Sequence, residues 1–99
     1  MTALNGKQRR QLRGLAHALR PSVQVGAAGI TDGVIEGVNA ALTAHELVKV
    51  KVGQGSDVER KAGAEALAEA TGSAVAGVIG RVWILYRPDP EEPRIQLVD

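Results

Sequence analysis

Cysteine and phenylalanine are absent from this chain, and tryptophan, tyrosine and methionine occur once each. Without cysteine there is neither a disulfide framework nor a thiolate metal site. With Trp83 and Tyr86 as the only aromatics, the chain lacks the rings to tile a sheet with base-stacking side chains. No apolar run reaches the ~18 residues of a membrane-spanning helix, and the first residues lack a signal-peptide core, so a soluble, cytoplasmic protein is expected. His45-Glu46 opens like the HExxH zinc motif, but the second histidine is missing and a strand pattern follows. No metal and no cofactor are expected. No Ser-His-Asp set, carboxylate pair or phosphate-binding P-loop assembles, so catalytic residues are expected to be none.

Acidic residues are missing from one region. Residues 1–31 carry five cations (Lys7, Arg9, Arg10, Arg13 and Arg20) and no Asp or Glu, whereas residues 88–99 carry four acids against Arg94. The net charge of +1 hides this asymmetry, which points to a basic face able to meet a polyanion. The 99 residues, 44% hydrophobic and 23% charged, have an ordinary globular composition and fit one modest core. One domain over 1–99 is expected, with 88–99 an irregular acidic tail.

Asn5 is placed to cap a first helix running to about Leu19, stopped by Pro21. Leu12, Leu15, Ala16 and Leu19 follow the spacing of one buried stripe. At ~100° per residue, Arg9, Arg20, Arg13, His17, Arg10 and Lys7 then fan out over the remaining surface as one cationic face. Ser22–Val25 form a strand. Thr31 caps a second helix to Ala44, with Ile30 and Ile35 as a hydrophobic staple and Val34, Ile35, Val38, Ala41 and Leu42 buried. His45 caps its end.

Leu47-Val48-Lys49-Val50-Lys51-Val52 alternates strictly, so the valines take one face and Lys49 and Lys51 the other. Ser56-Asp57-Val58-Glu59 reads as a capping box opening a third helix, with Gly72 just beyond its end. Ala74–Ile79 and Val82–Tyr86 pair as a hairpin around Gly80-Arg81, and Arg94–Val98 suggests a short edge strand. Trp83 reads as packing rather than stacking.

The order α-β-α-β-α-β-β predicts an α/β fold, a two-layer sandwich on a four-stranded mixed sheet. Its helices are expected on one face, with the place of the first helix left open.

Gly26-Ala27-Ala28-Gly29 joins the first strand to the second helix. It reads either as a tight turn needing glycine or as a phosphate seat made of backbone N–H groups at a helix N-terminus. With alanines between the glycines, any contact runs through the backbone, as when a GXXG loop clamps a sugar-phosphate chain. The basic face reads either as solvated surface or as a polyanion site. His17 reads as structural or as a phosphate contact. Lys49, Lys51 and Arg81 are ordinary surface cations taken singly.

In order along the chain, Leu12-Arg13-Gly14-Leu15-Ala16-His17 with Leu19 and Pro21 precede Gly26-x-x-Gly29-Ile30-Thr31-x-Gly33-Val34. His45-Glu46-Leu47-Val48-Lys49-Val50-Lys51 follows, then Ile79-Gly80-Arg81 and Leu85-Tyr86-Arg87-Pro88. Taken together these stretches resemble the YhbY family, the bacterial single-domain form of the CRM (chloroplast RNA splicing and ribosome maturation) domain. The resemblance implies a fold similar to the C-terminal domain of translation initiation factor three, and binding of ribosomal RNA in large-subunit (50S) precursors.

The family's GXXG loop falls on Gly26, Ala27, Ala28 and Gly29, and its basic surface on Lys7, Arg9, Arg10 and Arg13. With His17, Lys49, Lys51 and Arg81 these are the candidate RNA-binding residues. The Ala-Ala pair and the acidic tail depart from the family's usual polar or basic residues, which implies weaker electrostatic binding. The expected reading is a monomeric, non-enzymatic RNA-binding protein of ribosome assembly, with no membrane or small-molecule partner. The alternative is an adaptor that docks on a ribosomal protein or assembly factor through its apolar hairpin.

Overall fold

Asn5 closes the first helix with a reciprocal pair of bonds. Its Oδ1 accepts from the Gln8 amide at 2.8 Å, and its own amide donates to Gln8 Oε1 at 3.0 Å. The structure, a computed structural model, describes residues 3–56 and 58–99. After α1 (Gly6–Ala16) come β1 (Val23–Val25), α2 (Asp32–His45), β2 (Leu47–Val52), α3 (Arg60–Thr71), β3 (Ala74–Ile79) and β4 (Val82–Tyr86). The strands lie in the order β1-β2-β4-β3, with β1 parallel to β2 and both other pairings antiparallel. The α/β class, the element order and the mixed four-stranded sheet match the sequence reading.

The alternation of β2 divides the molecule into two apolar clusters. Val48, Val50 and Val52 pack with Val25, Trp83 and Leu85 beneath Val38 and Leu42 of α2 and Ala64, Leu67 and Ala68 of α3. Leu47, Ala76, Ile84 and Tyr86 point the other way, onto Leu4, Leu12 and Ala16. Helices α2 and α3 thus form the two expected layers with the sheet, while α1 takes the second face instead of joining them. Its hold there centres on Leu12, fully buried, whose transfer from water contributes about 2 kcal/mol.

Several boundaries differ from expectation. Helix α1 stops at Ala16 rather than Leu19, so Leu15 and Leu19 of the expected stripe stand 47% and 39% exposed. The chain leaves the helix early because it must reach β2. Lys49 Nζ donates to the Leu19 carbonyl at 3.1 Å, and the Ser22 amide donates to the Lys49 carbonyl at 2.9 Å. Arg20 therefore lies off the helix, and β1 starts at Val23 rather than Ser22.

Helix α3 begins at Arg60, not at Ser56. Glu59 is its N-cap, its carboxylate accepting from the Ala62 amide at 2.6 Å. Asp57 of the expected capping box lies outside the described residues. Gly72 ends α3 in the left-handed conformation, as expected.

Residues 94–98 form no strand. Side chains of α1 occupy their backbone groups instead. Gln11 Nε2 donates to the Gln96 carbonyl, Gln11 Oε1 accepts from the Val98 amide, and Gln8 Nε2 donates to the Val98 carbonyl. With those groups taken, no ladder can form. Ile95 and Leu97 still pack against the α1-side cluster.

Candidate functional site

The candidate residues are placed by the two ends of the sheet. At one end Val25, Val52, Val82 and Ile79 finish or begin their strands, so three connections meet there. These are the 26–29 turn, the 53–55 loop and the β3–β4 hairpin. They are stitched together: the Gly53 amide donates to the Val25 carbonyl at 2.8 Å, and the Val52 amide to the Arg81 carbonyl at 2.7 Å. Arg81 Nη1 reaches the Gly53 carbonyl at 3.4 Å, and Arg60 Nη1 reaches the Gly80 carbonyl at 3.3 Å.

The turn itself is closed by the Gly29 amide donating to the Gly26 carbonyl at 3.0 Å. Gly29 holds φ +76°, which is why glycine stands there. Gly26, Ala27 and Ala28 are exposed, and the Ala27 and Ala28 amides donate to no protein acceptor among the described residues. Thr31 Oγ1 already accepts from the Val34 amide at 3.2 Å, and Asp32 stands in the first turn of α2. The amides left for an anion are therefore those of the turn more than those of the helix.

Lys51 is brought to this end. It pairs across β2 with Gln24 of β1 and Val82 of β4, and Val82 pairs with Ile79 of β3. By alternation these four share the α1 side of the sheet. Helix α1 packs on this side through Leu12 and Ala16, against Leu47, Ala76, Ile84 and Tyr86, and half-buried Val82 rests against the same cluster, whereas Gln24, Lys51 and Ile79 stay exposed. An atom added at Gly77 as Cβ would come within 2.8 Å of Arg13 Cδ, so the Arg13 stem lies on β3 at that point. Arg13 is half-buried and borders this exposed group.

The other cations are not gathered here. Arg9 folds back onto the Leu4 carbonyl, and Lys7, at the N-terminal end of α1, is exposed beside it. Arg10 and His17 are exposed on α1 and just past its end, and Lys49 is held by Leu19. The expected continuous face thus splits into the turn end (Lys51, Arg81, Arg13) and outlying cations. Arg60, at the turn end, was missed by sequence reasoning. The sequence carried no signal for it, because the capping box read at Ser56–Glu59 set Arg60 beyond the helix start, whereas α3 in fact begins at Arg60.

At the opposite end of the sheet sits Glu46, just after α2, with φ +64° and its carboxylate buried. Oε2 accepts from the Asp89 amide at 2.6 Å, and Oε1 accepts from the Arg94 and Ile95 amides at 3.0 Å each. Arg94 Nε stands 3.9 Å away, the one ion pair among the described residues. Burial pushes the Glu46 carboxyl up, but the three amides and Arg94 outweigh it and hold it below the ordinary carboxylate value. The acidic tail is anchored at this end, the six-residue length of β2, or roughly 17 Å, from the turn end. The chain is polarised along its strands.

No group of three or more His, Cys, Asp or Glu among the described residues could hold a metal, and no described helix is long and apolar enough to cross a membrane. Trp83 is buried as expected of a packing residue, and its Nε1 finds no partner among the described residues.

The CRS1/YhbY (CRM) domain model matches residues 4–87, which include the turn, β2 and the hairpin. The chain belongs to the CRS1/YhbY (CRM) family. Among curated relatives, the "RNA-binding protein" of Haemophilus influenzae is 42% identical over 97 residues, covering 98% of this chain and 97% of that protein. The "Probable RNA-binding protein YqeI" of Bacillus subtilis is 40% identical over 94 residues, covering 95% and 98%. The solution structure of SAV1595 from Staphylococcus aureus superimposes with a TM-score of 0.82 at 41% identity, covering 96% of this chain and 99% of that one. The CRM fold accounts for the α1-β1-α2-β2-α3-β3-β4 order seen here.

Proposed function

We propose that this chain is a non-enzymatic, monomeric RNA-binding protein that acts in the cytoplasm on ribosomal RNA in precursors of the large subunit. The observation that carries the reading is the turn end. The free amides of Ala27 and Ala28 share one end of the sheet with Lys51, Arg60 and Arg81, and none of these cations is in an ion pair among the described residues. RNA binding follows from family membership and from the names of the relatives. The large-subunit assignment follows the resemblance drawn from the sequence. The acidic tail, at the other end of the sheet, does not oppose a phosphate at the turn.

Neutralising about four phosphates of a single strand gives a slope of roughly −3 for log K against log salt. A slope near zero removes the electrostatic basis. Lys51→Glu with Arg81→Glu, both exposed, is expected to abolish binding while the fold persists. Crosslinking to cellular RNA should recover large-subunit precursor sequences, and recovery of unrelated RNA alone overturns that assignment. The adaptor alternative loses ground on burial. Of the apolar hairpin, Trp83, Ile84, Leu85 and Tyr86 are buried and only Val78 and Ile79 are exposed, too little for a docking surface of ordinary size.

A further inference from the structure

Ile79 is 55% exposed, the most exposed large apolar side chain among the described residues. It sits at the end of β3, an edge strand, where proteins usually place charge to discourage association. Its neighbours across the sheet on the same side are Val82, half-buried, then Lys51 and Gln24, both exposed. This row runs over four strands, three spacings of ~4.8 Å or roughly 14 Å; Gln24, Lys51 and Ile79 are exposed along it, while Val82 packs in part against the α1-side cluster. The row is apolar at one end and polar-cationic at the other. Arg13 borders it toward the middle of the sheet, and Arg81 and the 26–29 turn border it at the sheet end. An apolar ledge framed by cations suits a ligand with separate apolar and anionic parts.

We infer that the row Gln24–Lys51–Val82–Ile79 seats unpaired RNA, with phosphates over Lys51 and the turn and a base lying against Val82 and Ile79. The inference rests on the RNA-binding reading above and adds a substrate class, single strand over duplex. In a duplex the bases are stacked inside and present no face to such a ledge, whereas unpaired bases can splay onto it. Lys51 in the same row, with Arg81 at the sheet end, favours this occupant over an uncharged protein strand added to the edge.

The test measures affinities of the full chain for an oligouridylate and for an RNA duplex of equal length, with Ile79→Ser and Ile79→Val beside the wild type. Ile79 is exposed, so both variants are expected to melt as the wild type does. The wild type should prefer the single strand. Ile79→Ser should weaken single-strand binding about fivefold with the duplex affinity and salt slope unchanged, and Ile79→Val should stay near wild type, because apolar base contact is sequence-tolerant and independent of charge. Three outcomes overturn the inference while leaving RNA binding intact: wild-type preference for duplex, equal loss on both RNAs, or no loss in Ile79→Ser. The last, together with loss of a bound protein, assigns the edge to a protein neighbour. Failure of the wild type to bind either RNA overturns the RNA-binding reading itself, and this inference with it.

Discussion

The Arg13 side chain lies along Gly77, close enough that a Cβ on residue 77 would stand 2.8 Å from Arg13 Cδ and 3.0 Å from Cγ. The missing side chain on β3 makes the groove, and the arginine stem fills it. Arg13 therefore has two roles, packing α1 to the sheet and supplying charge. Arg10, exposed three residues earlier, has only the second. Arg13→Ala is expected to lower both RNA affinity and stability, the latter by about 1 kcal/mol of lost apolar contact. Arg10→Ala should leave the urea midpoint unchanged. Equal midpoints for the two variants would show that the stem contributes nothing to holding α1.

The glycines of the 26–29 turn are separable. A Cβ at Gly26 meets nothing within 4 Å, whereas Gly29 combines φ +76° with Val58 Cγ2 at 3.4 Å. Gly26→Asp should fold like the wild type and lose RNA binding, because its carboxylate stands at the turn amides. Gly29→Asp should also lose binding, with a further penalty of about 1 kcal/mol for the left-handed backbone. Melting temperature read beside affinity distinguishes them. If Gly26→Asp binds RNA normally, the turn is outside the interface.

Gly63 packs against Trp83 inside the α2–α3 layer. A Cβ there would overlap Val58 Cγ1 and come within 2.8 Å of Trp83 Cη2. Helix propensity alone favours Gly63→Ala by about 1 kcal/mol, but overpacking in a filled core costs typically 1–3 kcal/mol. Steric overlap wins, since Trp83 is fully buried and cannot withdraw. A urea midpoint below wild type is expected, and a higher midpoint would mean the indole has room to shift.

What could be read from the sequence was local. Strand β2 is Leu47–Val52 as its alternation predicts, and the hairpin turns at Gly80-Arg81 because neighbouring residues set that geometry. The Asn5 and Thr31 caps were visible for the same reason. The end of α1 was not, because the pull that ends it comes from Lys49, far along the chain. Nor was the role of Glu46, which looked like a zinc-motif fragment beside His45. Its partners at residues 89–95 are more than forty positions away, and no pattern near Glu46 announces them. The same holds for the site. The turn and the cations were legible singly, but only strand order shows that Lys51 and Arg81 share its end while Lys7 and Arg9 do not.

Glu46 makes the tail's attachment depend on pH, in a direction fixed by its environment. Its folded pKa lies below the ordinary value because three backbone amides and Arg94 favour the carboxylate more than burial disfavours it. A depressed folded pKa means the stabilisation is fully present above the unfolded carboxylate value and is lost as pH falls through the folded one. Acidification should therefore release residues 89–95 from α2's end. Amide exchange at Asp89, Arg94 and Ile95 is expected to accelerate together at low pH, before the valines of β2 respond. Glu46→Ala should speed that exchange at neutral pH and cost about 2 kcal/mol, because three donors lose their shared acceptor. Since the tail and the 26–29 turn lie at opposite ends of the sheet, the same variant should bind RNA as the wild type does. A drop in affinity without unfolding would mean that the tail end takes part in the interface.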